Sequence, residues 1–316
     1  MTLIKNILYG KAVGDALGLP VESSRREFLR ENPITTMTGH GAYNQPAGTW
    51  SDDTSMALAI TDSLAECKGY NLEDIGNKFL EWAFNNKYTP HGVTFDIGTT
   101  TIKALNQLKN GTSPIESGMG GDTRSNGSIM RTLALLPYLL ERPIQERFRI
   151  VSEVSAITHS SFICKFSCFF LCEYALSLLE YKNQPIHYVT LPMTALIFAQ
   201  DKITWFMLDN KIDNIEINNF NIALNGIEKL SENNISSGGN CIESLEASLW
   251  CLLETKNYRD AVLKAVNLGG DTDSTAAITG ALAAITYGFD SIPSEWIEVL
   301  ANRRLIDSII EKYDAI

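Results

Sequence analysis

Apolar residues recur along most of this chain at intervals of three and four, which places them on one face of an α-helix. No segment shows the sustained apolar–polar alternation that is typical of a half-buried strand. Many helices joined by polar, glycine-containing loops predict an all-α fold, a compact orthogonal helical bundle. The predicted helices cover residues 3–17, 55–67, 72–85, 99–109, 127–140, 144–158, 162–181, 191–199, 242–253, 258–268, 272–287 and 293–314.

The loops between these helices differ in composition. Residues 39–53, 111–125 and 269–273 are rich in Gly, Asp, Ser and Thr, so they are candidate functional loops. Residues 201–234 contain much Asn, Ile, Asp and Lys but almost no Gly, with one amphipathic helix predicted near 220–230. We therefore expect one domain over residues 1–316, with a surface insert at about 201–234.

Composition narrows the range of functions. The chain has 316 residues, 45% of them hydrophobic, and a formal net charge of −11. An acidic surface argues against nucleic-acid and anionic-membrane partners, because both require basic patches. The longest apolar tract, 162–179, is interrupted by Lys165 and Glu173, and the N-terminus lacks the pattern of a signal peptide. We expect a cytoplasmic protein without a membrane or nucleic-acid partner.

The cysteines do not form a disulfide pattern. Cys164, Cys168 and Cys172 recur every four residues, on one face of a strongly apolar helix. A zinc site there is conceivable, but the phenylalanines around them favour packing in the core, where a free cysteine behaves as a small hydrophobic residue.

Two short acidic clusters carry the candidate chemistry. The first contains Asp52 and Asp53 in GTWSDDT (48–54), and the second contains Asp271 and Asp273 in GGDTDS (269–274). Oxygen ligands without Cys or His favour Mg²⁺ or Mn²⁺ over zinc. Two such clusters, brought together in space, could form a binuclear metal site.

The alternative interpretation of both clusters is helix capping. Asp and Ser are ordinary residues at helix N-termini, where they also suit the helix dipole. A cap needs only one such side chain, however, and neighbouring carboxylates repel each other without a cation. Two separate carboxylate pairs favour the metal hypothesis.

Six segments, taken in order, resemble the ADP-ribosylglycohydrolases of the dinitrogenase reductase-activating glycohydrolase type. They are GKAVGDALGLPVE (10–22), WSDDTSM (50–56), FDIG (95–98), SNGSIMR (125–131), THS (158–160) and GGDTDS (269–274). Each segment alone is a weak signal, but the ordered set spans nearly the whole chain outside 201–234. The resemblance implies an all-α fold with two Mg²⁺ or Mn²⁺ ions at the base of an ADP-ribose cleft.

The resemblance also assigns site residues. Six positions match the metal ligands of the family, namely Ser51, Asp52, Asp53, Asp271, Asp273 and Ser274. Glu22 matches a carboxylate beside the metals that gates the site or acts on water in some relatives; alternatively, it is a solvated acid at the start of a loop. Asp96 matches a position near the scissile bond in arginine-directed relatives, where a carboxylate could hold a guanidinium.

The resemblance places the substrate near residues 126–128 and His159. Asn126, Gly127 and Ser128 precede a helix, whose free N–H groups could receive the pyrophosphate; alternatively, Asn126 is only a helix cap. His159 could bind a phosphate or ribose, or be a structural histidine. Arg131 is expected to pair with a carboxylate.

The implied reaction is hydrolysis of the C1″ glycosidic bond of ADP-ribose, most favourably when it is linked to arginine. The metals would bind the 2″- and 3″-hydroxyls of the distal ribose and polarise a water molecule, and Asp52, Asp53 or Glu22 would take the proton. The departing guanidinium would be oriented by Asp96. The implied partner is an ADP-ribosylated protein substrate, and a cognate ADP-ribosyltransferase or its target is a further candidate.

Other functions remain open. Serine-linked ADP-ribose and ADP-ribose esters are alternative substrates, and lens crystallins that resemble the family provide a non-catalytic alternative. Retention of all four aspartates favours an enzyme. The resemblance is weakest at 237–247, where relatives often have an aromatic residue near Asn240, and residues 201–234 have no clear counterpart.

Overall fold

The computed structural model describes residues 2–182, 184 and 190–316, and within these residues it contains helices but no β-strand, only three isolated bridges. The all-α prediction is therefore confirmed. The α-helices are α1 (Leu3–Gly18), α2 (Arg26–Glu31), α3 (Asp52–Glu66), α4 (Leu72–Asn85), α5 (Thr99–Lys109), α6 (Ile129–Thr132), α7 (Leu136–Leu139), α8 (Ile144–Ala156), α9 (Phe162–Lys182), α10 (Leu191–Asp209), α11 (Asn214–Asn218), α12 (Asn221–Asn225), α13 (Cys241–Leu253), α14 (Tyr258–Asn267), α15 (Thr272–Tyr287), α16 (Ser294–Val299) and α17 (Arg303–Asp314).

Helices α1 and α15 pack against each other at very short range. A β-carbon added at Gly14 of α1 would lie 2.0 Å from the carbonyl oxygen of Ala276 in α15. In the same way, a β-carbon at Gly280 of α15 would lie 2.1 Å from the carbonyl oxygen of Gly10. The two helices thus touch backbone to backbone, and this contact holds the C-terminal end of α1 against the N-terminal end of α15.

Gly14→Ala should destabilise the protein by about 2–3 kcal/mol, because overpacking of a tight contact outweighs the ~1 kcal/mol gain in helix propensity. Urea unfolding monitored by circular dichroism measures the effect. Gly226→Ala is the matched control, since a β-carbon there meets nothing within 4 Å. If Gly14→Ala unfolds at the same urea concentration as the wild type, α1 and α15 can separate without cost.

Two predicted helices are interrupted. The predicted helix at 127–140 is replaced by α6, a 3₁₀ turn (Leu133–Leu135) and α7, with Pro137 in the first turn of α7, where its missing N–H is tolerated. The predicted helix at 293–314 breaks between α16 and α17. There the N–H of Ala301 donates to the carbonyl of Gly48, and Asn302 has left-handed backbone angles (φ 46°).

Residues 201–234 are less peripheral than their composition suggests. Residues 201–209 belong to α10, which ends at Asp209. Further along the segment, Phe220 and Ile227 are buried. The helix expected at 220–230 is two shorter elements, α12 and a 3₁₀ turn (Ile227–Lys229), and the indole of Trp250 donates to the carbonyl of Leu230. That the segment is an insert stays a prediction.

The apolar helix α9 is long and hydrophobic enough to cross a membrane by length and composition alone. In the structure, 83% of its most apolar stretch is buried inside the protein. Cys164, Cys168 and Cys172 are buried and are not disulfide-bonded, so their predicted packing in the core is confirmed.

Candidate active site

A cavity of about 280 Å³ opens beside the N-terminal ends of α5 and α15 and brings together most of the predicted site residues. A larger open groove of about 760 Å³ lies beside α2 and α14, but none of the predicted site residues lines it. The smaller cavity is lined by Glu22, Asp52, Asp96, Gly98, Thr99, Thr100, Thr101, Ser125, Asn126, Gly127, Met130, His159, Asp271, Asp273 and Ser274.

The N-terminus of α3 is capped by residues other than its two aspartates. The carboxylate of Asp15, on α1, accepts hydrogen bonds from the N–H groups of Ser51 (2.9 Å) and Thr54 (3.1 Å). The hydroxyl of Ser51 accepts from the N–H of Asp53 at 3.3 Å. The capping alternative therefore does not account for the carboxylates of Asp52 and Asp53, both of which are buried.

The second acidic cluster lies at the N-terminus of α15 and is joined to the first. Asp271 precedes the helix but makes no capping hydrogen bond; instead it accepts from the side-chain amide of Asn126 at 2.8 Å. Asp273 accepts from the N–H of Ser274 at 2.9 Å. The hydroxyl of Ser274 donates to Asp53 Oδ2 at 2.9 Å and so links two clusters that are 221 residues apart.

Glu22 and Asp96 add two further carboxylates to those of Asp52, Asp271 and Asp273 that line the cavity. One carboxylate oxygen from each of Glu22, Asp96 and Asp273 lies within 4.8 Å of the others. Glu22 is half-buried rather than solvated, and Asp96 has left-handed backbone angles (φ 54°). The tightest carboxylate group among the described residues thus includes two acids outside the predicted ligand set, whereas Asp52 and Asp53 lie outside this trio.

The electrostatics of the site favour a bound cation. Burial, and then the charges of neighbouring carboxylates, raise the pKa values of Asp52 and Asp273 well above their usual range. Burial, partly opposed by Lys11, raises the pKa of Asp53 to about 8, and burial raises that of Glu22 to about 7. Asp53 Oδ1 is buried without a hydrogen-bond partner. An all-oxygen donor set with this surplus of negative charge can bind a divalent cation.

Lys11 is a site residue that the sequence analysis missed. It lies on α1 with no exposed surface, its Nζ is 3.6 Å from Asp53 Oδ1, and it donates a hydrogen bond to the carbonyl of Met130. Burial lowers its pKa, while the charge of Asp53 acts in the opposite direction. A lysine between Gly10 and Gly14, on a helix that is otherwise apolar at this point, is the sequence signal that could have revealed it.

Of the predicted substrate-binding residues, three line the cavity and one does not. Asn126 is held by hydrogen bonds to Asp271 and Ser244, and Gly127 borders the cavity against the ring of His159. Ser128 lies behind the cavity wall and accepts a hydrogen bond from the hydroxyl of Ser155.

The side chains of His159 and Arg131 both form hydrogen bonds with other residues of the protein. The ring nitrogens of His159 lie 2.8 Å from the hydroxyl of Ser125 and 2.7 Å from that of Thr158, and burial lowers its pKa to about 3, so the ring is neutral. The expectation that Arg131 pairs with a carboxylate is wrong. Its guanidinium donates to the carbonyl of Gly127 and to Thr158, because it is fully buried beside that loop.

Comparison with known proteins gives a consistent result. The sequence model of the family described as ADP-ribosylglycohydrolase matches residues 2–315. ADP-ribosylarginine hydrolase Tri1 of Serratia proteamaculans is 30% identical over 98% of this chain and 78% of its own. The ADP-ribosyl-[dinitrogen reductase] glycohydrolase of Rhodospirillum rubrum is 26% identical over 95% of this chain and 93% of its own.

The fold also matches a solved structure. A chain of an "ADP-ribosylglycohydrolase-related protein complex" superimposes with a TM-score of 0.77 at 24% identity, covering 98% of this chain and 96% of that one. The helical architecture, the joined acidic clusters and the whole-length match lead to one assignment: this chain belongs to the ADP-ribosylglycohydrolase family.

Proposed function

We propose that this protein is a cytoplasmic, divalent-metal-dependent hydrolase that removes ADP-ribose from modified arginine side chains of proteins. The observation that carries the proposal is the junction of the two acidic clusters, Asp53 to Ser274, beside a cavity. Because Asp15 and Ser51 cap α3, the carboxylates of Asp52 and Asp53 are available for another task. The relatives named ADP-ribosylarginine hydrolase, at 30% and 28% identity, support the arginine linkage.

The metal ligands in this proposal are two Asp pairs, each with a neighbouring serine. Two bound Mg²⁺ or Mn²⁺ ions would supply positive charge for the sugar hydroxyls and for an attacking water. The raised pKa values support this donor set, as does Asp53 Oδ1, which accepts no hydrogen bond and has only the ammonium of Lys11 nearby at 3.6 Å. The residues are Ser51, Asp52, Asp53, Asp271, Asp273 and Ser274.

Carboxylate side chains of the protein would bind the leaving group and transfer the proton. Asp96 lines the cavity, where its carboxylate can accept N–H bonds from the departing guanidine. Water oxygen joins C1″ as the C1″–N bond breaks, and one water proton passes to a carboxylate and then to the departing nitrogen. Glu22 and Asp52 both line the cavity and are the candidates for that carboxylate.

The test is to incubate the purified protein and Mg²⁺ with arginine-, serine- and ester-linked ADP-ribose and to follow product release by mass spectrometry. We expect the arginine linkage to be cleaved fastest and EDTA to abolish cleavage. Faster cleavage of the serine or ester linkage would refute the proposed substrate, and binding of ADP-ribose without any cleavage would refute the enzyme.

A further inference from the structure

Tyr43 lies beside Asp96 on a tight loop, closed by a backbone bridge between His40 and Gln45, and the position of this loop is set by backbone contacts. It ends a 3₁₀ turn (Gly41–Tyr43) that lies against the turn leading into Glu22. At Gly41, where φ is +66°, a β-carbon would lie 1.8 Å from the carbonyl oxygen of Pro20, so only glycine fits at this contact. The backbone that carries Tyr43 is therefore fixed in position beside the site.

The hydroxyl of Tyr43 is bonded to the carboxylate proposed to meet the leaving group. It donates to Asp96 Oδ1 at 2.5 Å, and the tyrosine ring packs against Phe95 with the ring centroids 5.6 Å apart. No other side chain or backbone group in the described part of the chain donates a hydrogen bond to Asp96. Tyr43 thus fixes one oxygen of the Asp96 carboxylate, which lines the cavity, and the same hydroxyl also faces the carboxylate of Glu22.

A fixed carboxylate matters most when the leaving group is a guanidinium. The planar guanidinium presents its N–H groups in a rigid fork, so an acceptor that faces it must have a defined orientation. A carboxylate that rotates freely must be ordered in each turnover, which lowers the rate of reaction. A serine hydroxyl has no such fork and would gain little from the orientation of Asp96.

We propose that Tyr43 is a positioning residue for the cleavage of arginine-linked ADP-ribose, because its hydroxyl orients Asp96 toward the departing guanidine. The inference rests on the proposed function. A structural alternative is that Tyr43 only attaches its loop to the protein through Phe95. Tyr43→Phe separates the two, since it keeps the ring and its contact with Phe95 and removes only the hydroxyl.

The experiment measures kcat and KM for ADP-ribosyl-arginine, and the affinity for free ADP-ribose by calorimetry, in wild type and Tyr43→Phe. We expect kcat to fall about 10–100-fold, the range for loss of a group that orients a site residue, with KM and ADP-ribose affinity nearly unchanged. In an Asp96→Ala background, which leaves the Tyr43 hydroxyl no acceptor at this position, Tyr43→Phe should cause no further loss. The matched control is Tyr70→Phe, which loses a similar bond to Glu153 (2.6 Å) away from the cavity and should keep its activity.

Three results would overturn this inference. They are an unchanged kcat in Tyr43→Phe, an equal loss of kcat and ADP-ribose affinity, and an additive loss in the Asp96→Ala background. The proposed function is tested separately by the wild-type protein. A wild type that does not cleave the arginine linkage would refute both, whereas an active wild type with an equally active Tyr43→Phe would refute only the role of Tyr43.

Discussion

Asp273→Asn should lower kcat for ADP-ribosyl-arginine by about a thousandfold while the protein stays folded. Asp273 is buried, lines the cavity and lies beside Glu22 and Asp96. In the proposed metal site its negative charge offsets the charge of the cations, which a neutral amide cannot do. Loss of metal stabilisation of the transition state costs several kcal/mol, and each 1.36 kcal/mol is about tenfold in rate.

The same substitution should make the metal-free protein more stable at pH 8. Burial and neighbouring carboxylates raise the pKa of Asp273 above its value in the unfolded chain. The stability that this raised pKa contributes is complete below the unfolded pKa and is lost as pH rises through the folded pKa. Asparagine avoids that loss, so in EDTA the variant should melt above the wild type at pH 8, with a smaller difference at acidic pH.

Single-turnover kinetics at saturating Mg²⁺ and thermal melts in EDTA test both effects. Asp260→Asn is the matched control, an exposed first-turn aspartate of α14, and should change neither. Near-normal turnover by Asp273→Asn would mean that Asp273 serves only the N-terminus of α15, since an amide oxygen can also accept the N–H of Ser274.

Above about pH 8, where the Asp53 carboxylate is ionised, Lys11→Met should destabilise the metal-free protein by about 3–5 kcal/mol, the usual cost of leaving a buried charge without its partner. Methionine approximates the length of the lysine stem but carries no charge, so the Asp53 carboxylate would lose the ammonium 3.6 Å away. Added Mg²⁺ should restore part of the stability, because a cation at the site would also compensate Asp53.

Urea unfolding in EDTA and in Mg²⁺ measures this recovery. Lys78→Met provides the control, since Lys78 pairs with Asp62 (2.9 Å) and Glu66 (2.6 Å) and lines no part of the cavity. It should lose stability equally with and without Mg²⁺. If Lys11→Met is as stable as the wild type in EDTA, Lys11 and Asp53 are not an ionised pair.

Helices that depend on local pattern were predicted well, and interruptions that depend on distant contacts were not. The predicted bounds of α4, α5 and α15 agree with the structure, because their apolar spacing is regular and their ends carry local signals. Pro137 is a local signal for the interruption of the predicted helix at 127–140, which the prediction did not take into account. The break before α17 has only a weak local signal in Asn302, a residue type that tolerates left-handed angles, and it depends mainly on hydrogen bonds from Ala301 to Gly48 and from Asn302 to Thr89.

The candidate site shows the same division. The Asp pairs could be found because their residue types and spacing are unusual within a short stretch of sequence. Asp15 and Tyr43 could not, because each acts on a group 36 or more residues away that only the folded chain brings near. The orientation of the Ser128 side chain could not be predicted either, because loop residues have no periodicity that indicates which way a side chain points.

The contact between α1 and α15 also constrains when the site can form during synthesis. The hydroxyl of Thr272 donates to the carbonyl of Gly18, a residue 254 positions earlier in the sequence. On the ribosome, α1 emerges long before its partner helix, and contacts between segments so distant in sequence form slowly. The acidic clusters cannot meet until α15 has been translated and has docked, so a nascent chain that lacks α15 has no assembled site.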